Sequence, residues 1–169
     1  MIDLDDYPED IRQRIELHSG SEVIVDANLL WPWLAARTFP SEHRGWRTHV
    51  RLEDLQLVYL DDVIRRFAGI VVTPHLLTEV SNLSGKLPPS MLRSFREMIR
   101  LVAEEWSETF TDCRSLTATS GFVELGLADA AVIDAVGQNR VTLTSDLRLY
   151  IALQSLELNV INFNHLFEA

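Results

Sequence analysis

Apolar residues along the chain fall into short dense runs separated by stretches of helical spacing. Glu22-Val23-Ile24-Val25-Asp26 carries three consecutive β-branched apolar residues, which predicts a strand buried on both faces. Ile70-Val71-Val72, Val141-Thr142-Leu143-Thr144 and Asn159-Val160-Ile161-Asn162 predict further strands, and Thr109–Asp112 a short edge strand. Between them an apolar helix is expected from Asn28 to Arg37. A second runs over 48–67, where Leu52, Leu55, Val58, Tyr59, Val63 and Phe67 lie near helical spacing. Thr73-Pro74 reads as an N-cap with proline at N1, opening a helix through Val80. Helices follow from Ser90, from Leu127 to Val136 and from Leu147 to Leu156, and a short one closes the chain. Strands alternating with helices predict βαβ units, a parallel sheet and right-handed crossovers.

The division is into an N-terminal extension, 1–20, and a single domain, 21–169. Residues 1–10 hold five acids and no base, so the extension reads as a flexible arm or as the lead-in to a short helix over Ile11–His18. Acid stands where a signal peptide would carry basic residues, and no apolar run approaches the roughly 20 residues of a membrane span. A soluble, cytoplasmic protein with no membrane partner is the expectation.

Composition narrows the function classes. The chain has 169 residues, 47% hydrophobic and 24% charged, enough for one domain with its own core. Fifteen Lys and Arg against 25 Asp and Glu give a formal net charge of −10. That argues against a general nucleic-acid coat, though not against an enzyme that grips nucleic acid through a local patch. The single cysteine, Cys113, excludes an intrachain disulfide framework and a multi-cysteine zinc site.

The chemistry lies in the acids. Ligands of parallel sheets bind beyond the carboxyl ends of the strands. Asp26 closes the first strand, and Asp146 follows Val141–Thr144. Glu79 lies about two turns into the helix after the second strand, and Asp129 near the start of the helix before Val141. Adjacent strands would bring all four to one rim. Two carboxylates about 4 Å apart repel by roughly 4 kcal/mol at an effective dielectric of 20, so such a group either protonates or gathers a cation. Oxygen-only ligands suit Mg²⁺ or Mn²⁺ rather than Zn²⁺, and such an ion suits phosphodiester hydrolysis. Taken singly, Asp26 and Asp146 also read as helix N-caps, Glu79 as an exposed helix acid and Asp129 as a first-turn acid.

Four segments together resemble the PIN domain family, the nuclease fold of VapC-like toxins. They are Val23-Ile24-Val25-Asp26-Ala27-Asn28, Thr73-Pro74-His75-Leu76-Leu77-Thr78-Glu79-Val80, Gly126-Leu127-Ala128-Asp129-Ala130 and Leu143-Thr144-Ser145-Asp146. The closing Asn159–Phe163 resembles the family's last strand, so the likeness covers roughly Glu22 to Phe167. It implies a three-layer α/β/α sandwich around a parallel sheet of about five strands. It also implies a Mg²⁺- or Mn²⁺-dependent endoribonuclease, the toxin of a toxin–antitoxin pair, leaving a 5′-phosphate and a 3′-hydroxyl. By residue it implies Asp26, Glu79, Asp129 and Asp146 as catalytic and metal-binding acids. Asn28 and Thr144 would orient carboxylates or the attacking water. Asp134, about 140° around the helix from Asp129, is expected to face elsewhere.

RNA needs a local exception to the net charge. Residues 37–51 carry Arg37, Arg44, Arg47 and Arg51 against Glu42, with His43, Trp46 and His49 interleaved. Arg44 and Arg47 are candidate phosphate contacts and Trp46 a candidate base-stacking residue. Lys86 and Arg148 are further possible phosphate contacts. Trp31, Pro32 and Trp33 read as a packing cluster or as part of an interface for a cognate antitoxin. His75 reads as a structural donor, and a homodimer is a possible assembly. The competing readings are a non-catalytic binding module of the same fold and a DNA-directed nuclease with the same acidic site.

Overall fold

A computed structural model describes residues 2–41, 52–137 and 139–167. In chain order the elements are α1 (Glu9–His18), β1 (Glu22–Val25), α2 (Ala27–Thr38), α3 (Asp54–Ile64), β2 (Gly69–Val72), α4 (Pro74–Ser84) and α5 (Pro89–Glu105). They continue with β3 (Ser107–Glu108), α6 (Cys113–Leu116), α7 (Phe122–Leu125), α8 (Leu127–Val136), β4 (Val141–Thr144), α9 (Leu147–Ser155) and β5 (Val160–Asn162). The strands form one five-stranded sheet in the order β3-β2-β1-β4-β5, and every neighbouring pair is parallel. Helices flank it, as in a three-layer α/β sandwich. Among them α2 packs against α3, α4 and α5, α4 meets α8, and α9 lies against β4 and β5.

This order puts β1 in the middle. The chain leaves β1 toward β2 on one side and returns after β3 to β4 on the other. The direction of winding therefore reverses between β1 and β4, and the carboxyl ends of these two strands frame the crevice where open α/β sheets take ligands. Register makes the match close. Val25 pairs with Leu143, and the Asp26 N–H donates to the Leu143 carbonyl at 2.9 Å.

Local sequence accounts for these elements. Val23, Ile24, Val25, Val141 and Leu143 are fully buried, as β-branched and apolar runs in a covered parallel sheet should be. In α4 the Thr73 hydroxyl accepts the Leu76 N–H at 3.1 Å ahead of Pro74 at N1. Helix α2 is apolar all round, with Ala27 and every residue from Leu29 to Ala35 buried, because other helices enclose it. Gly126, at φ +97° and ψ −177°, turns α7 into α8 through a region open essentially to glycine alone. That turn sets Asp129 in the first turn of α8.

Three expectations change. The edge strand is Ser107–Glu108 rather than Thr109–Asp112. Thr109 adds one more bond to Val72, and Asp112 instead caps α6 by accepting the Arg114 and Ser115 N–H groups. The helix expected over 48–67 is confined to Asp54–Ile64 among the described residues, begun where the Gln56 side chain accepts the Glu53 N–H at 2.8 Å. Third, of the two readings of the N-terminal residues, the flexible arm gives way to the helical lead-in, seen as α1. Tyr7, Ile11 and Ile15 belong to the core, and the Tyr7 hydroxyl donates to Asp62 at 2.8 Å.

Candidate functional site

The crevice between β1 and β4 begins with Asp26, which is 4% exposed. Thr144, the last residue of β4, is fully buried, and its hydroxyl donates to Asp26 Oδ2 at 2.9 Å. The Thr144 Oγ1 also accepts the Asp146 N–H at 2.9 Å. One hydroxyl thus fixes both the carboxylate after β1 and the backbone after β4. Asp26 stands at the N-cap position of α2, yet its side chain makes no cap bond to that helix. The simple capping reading therefore fails for Asp26. It holds for Asp146, whose Oδ1 accepts the Arg148 N–H at 2.7 Å and the Leu149 N–H at 3.2 Å at the start of α9.

Glu79 from α4 and Asp129 from α8 complete the group, both half-buried. Burial raises Asp26 to about 7; the Thr144 hydroxyl and the Ala27 N–H oppose the rise, while the charges of Asp129 and Glu79 add to it. Asp129 is pushed up to about 6 by burial, then by Asp146 and Glu79, against the pull of Arg148. Burial and the charge of Asp146 raise Glu79 as well. Asp26 and Asp129 therefore each feel two of the other acids, and Glu79 feels Asp146.

That mutual repulsion is the observation by which a cation can be judged. The donors are all carboxylate oxygens, the chemistry of Mg²⁺ and Mn²⁺ sites. Asp26, Glu79, Asp129 and Asp146 would hold the ion, and it would offset a charge that the described protein groups leave largely uncompensated. Among the described residues, however, no three His, Cys, Asp or Glu side chains are gathered as a ready-made ligand set. The acids repel across the crevice without closing on a common point, so coordination would run partly through water, as Mg²⁺ commonly allows.

The remaining candidates are distributed differently. Asn28 is half-buried in the first turn of α2 and makes no side-chain hydrogen bond among the described residues; Thr144 orients Asp26 instead. Asp134 is exposed and accepts from the Thr111 hydroxyl at 2.6 Å, away from the four acids as its helical angle predicts. Arg44, Arg47 and Trp46 lie outside the described residues. Arg37, the described arginine of that stretch, is engaged with Asp61 at 2.8 Å and lies over the Trp33 ring. Trp31 and Trp33 are interior. Trp33 donates to Asp61 at 3.2 Å and its ring centre lies 6.0 Å from that of Trp106, while Trp31 and Phe95 are 6.4 Å apart. At 3% and 6% exposure, Trp31 and Trp33 offer no free interface for an antitoxin. His75 Nε2 stands 3.6 Å from Cys113 Sγ.

The residue that sequence reasoning undervalued is Arg148. Its guanidinium donates to the Glu124 carbonyl, and its charge reaches Asp129. Its place two residues after Asp146 was the available signal. No family model matches the sequence, and no curated protein matches it. No helix among the described residues is long and apolar enough to cross a membrane.

Proposed function

We propose that this chain is a PIN-like endoribonuclease that depends on Mg²⁺ or Mn²⁺. The observation that carries the proposal is the placement of Asp26, Glu79, Asp129 and Asp146 around the reversal point of a parallel sheet, near enough for their charges to act on one another, with Asp26 buried and tied to Thr144. Carboxylates shifted by burial and by one another in a crevice mark a candidate functional site. A divalent ion bound there supplies charge stabilisation at a phosphodiester and lowers the pKa of a water.

The chain's own residues have separable tasks. Asp26 is held in one orientation by the Thr144 hydroxyl. Asp146 is held by its cap on α9, which uses one carboxylate oxygen and leaves the other for a ligand. Glu79 and Asp129, free of hydrogen bonds to other described residues, close the crevice from the helix side. The raised proton affinity of Asp129 and Glu79 suits them to accept a proton or a water hydrogen bond at the rim. A toxin role and an antitoxin partner draw support from the four-motif resemblance alone, now that the tryptophan cluster is interior. The non-catalytic alternative draws on the cap made by Asp146 and on the open spacing of the acids.

The test is incubation of the purified protein with total bacterial RNA in Mg²⁺ or Mn²⁺, mapping new 5′ ends by sequencing. Discrete ends that disappear with EDTA and in Asp26→Asn are the expected result. Metal binding without new ends favours the binding module. Cleavage of single-stranded DNA but not of RNA of matched sequence favours the DNA nuclease.

A further inference from the structure

Beside the acidic crevice lies a cavity of about 490 Å³ lined by Gly121, Glu124, Leu125, Arg148, Ile151 and Ala152. That size falls in the ordinary range of small-ligand sites. It lies between α7 and the first two turns of α9, and its one cation is Arg148. Leu147 and Ile151, four residues apart on one face of α9, are 59% and 55% exposed. An unpartnered apolar strip therefore begins one residue after Asp146 and leads past Arg148 into the cavity.

Arg148 differs from many of its counterparts. Arg12, Arg37, Arg65, Arg66, Arg100 and Arg140 each pair with a carboxylate 4 Å away or less. Arg148 instead donates to a neutral backbone carbonyl, that of Glu124. A guanidinium has five donors, more than one carbonyl can accept, so the bond steadies the group without neutralising it. Its charge is still felt at Asp129. Glu124 also lines the cavity, yet among the described residues Arg148 makes no ion pair with it, and a steadied cation between an otherwise apolar cavity and Asp129 has one complement. That complement has a flat apolar body and an attached anion, positioned within one step of the acids.

We propose that this cavity holds one nucleotide of a single-stranded RNA next to the cleaved phosphodiester, its base against Leu125, Ile151 and Ala152 and its phosphate on Arg148. The proposal rests on the reading of the four acids as a nuclease centre. Guanidinium planes stack on unpaired bases, and here the aliphatic Leu125, Ile151 and Ala152 would offer an apolar wall against which a base packs. Arg148 is on this account a substrate-binding residue, and Ile151 sets how well a base fits.

The experiment separates binding from turnover. A fluorescein-labelled RNA of about 12 nucleotides is titrated in EDTA against wild type, Arg148→Gln and Ile151→Ser, each across a range of salt. Both positions are at the surface, and matching melting curves confirm that the variants fold. Arg148→Gln is expected to weaken binding roughly tenfold and to lower the slope of log affinity against log salt by about 0.7, the loss of one phosphate contact. Ile151→Ser is expected to weaken binding about tenfold with the slope unchanged. A merely structural role would not split affinity from salt dependence in this way. Mn²⁺ is then added and cleavage is followed. Wild-type binding and cleavage with both variants unaltered overturns the cavity's role and leaves the nuclease reading standing. The expected pattern of binding without any cleavage supports the cavity and overturns the nuclease reading. A wild-type protein that binds no RNA overturns both and leaves the strip to a protein partner.

Discussion

Asp26 and Asp62 are buried to nearly the same degree, 4% and 7% exposed, in opposite surroundings. Burial pushes Asp62 up, but the Ile2 N–H, the Tyr7 hydroxyl, the Arg66 guanidinium and the Arg66 charge outweigh it and leave the carboxyl below its ordinary range. The Arg66 side chain is itself only 9% exposed, so the pair is a sealed one. It ties the first residues of the chain to α3, since Arg66 also donates to the Ile2 carbonyl. Among the described residues, Asp26 has no cation acting on it. It has one hydroxyl, one backbone N–H and two further acids, and it is raised to about 7. A buried acid whose partners come from the fold serves the fold. One whose partners are other acids is left with an unmet demand, and a ligand can meet it.

The largest separation should come from deleting the sealed pair. Asp62→Ala leaves Arg66 buried without its carboxylate and should cost about 3 to 5 kcal/mol of stability. Urea unfolding measures this, and cleavage per folded molecule should stay at the wild-type level. Asp26→Asn should do the reverse. Activity should fall roughly a thousandfold, equivalent to about 4 kcal/mol, while the metal-free fold becomes no less stable. A variant that lost stability and kept activity would erase the distinction between the two acids.

The two acids also predict opposite pH limbs in metal-free protein. A lowered carboxyl gives stability that is present above its unfolded value and lost as pH falls, so Asp62 contributes to acid unfolding. A raised carboxyl gives stability that is complete below the unfolded value and lost as pH rises through the folded one. Asp26 rises from 3.8 to about 7, so it should cost the fold on the order of a few kcal/mol between about pH 4 and pH 7. Asp129, raised to about 6, acts in the same sense. Thermal melts across that window should decline in wild type and flatten in Asp26→Asn. An identical decline in both would remove Asp26 as its source.

Smaller effects sharpen the picture. Thr144→Val removes the donor to Asp26 and the acceptor of the Asp146 N–H, at a cost of about 1 to 3 kcal/mol. Without that bond the proton affinity of Asp26 should climb further, moving the fall in stability to higher pH. Asp134→Asn touches an exposed acid outside the crevice and should stay within about 0.5 kcal/mol of wild type, with cleavage unchanged.

Much of the frame was legible because its signals were local. Leu127–Val136 and Val141–Thr144 match their expected bounds to the residue, and Thr73-Pro74 caps α4 as its sequence dictates. The misplaced edge strand had no such signal, since Ser107 and Glu108 are exposed and carry no apolar run. Asp26 and Asp146 were legible as acids directly after strands, whereas Glu79 in α4 and Asp129 in α8 came from helix positions and the motif resemblance. What each one does locally could not be read in advance. Asp26 and Asp146 both stand at helix starts, and only the three-dimensional hydrogen bonds show that one caps its helix and the other does not. Arg37 looked available in sequence; Asp61, more than 20 residues away, engages it together with Trp33. Asp62 and Arg66 carried a readable spacing of four residues. Their burial came from Tyr7 and Ile2, at the far end of the chain.

The most direct measurement is a calorimetric titration of Mn²⁺ into metal-free wild type and Asp26→Asn near pH 8, above the raised values of Asp26 and Asp129. The account predicts saturable binding to wild type, a rise in melting temperature with Mn²⁺ concentration, and loss of both in Asp26→Asn. No binding to wild type, or equal binding to the two proteins, would contradict it.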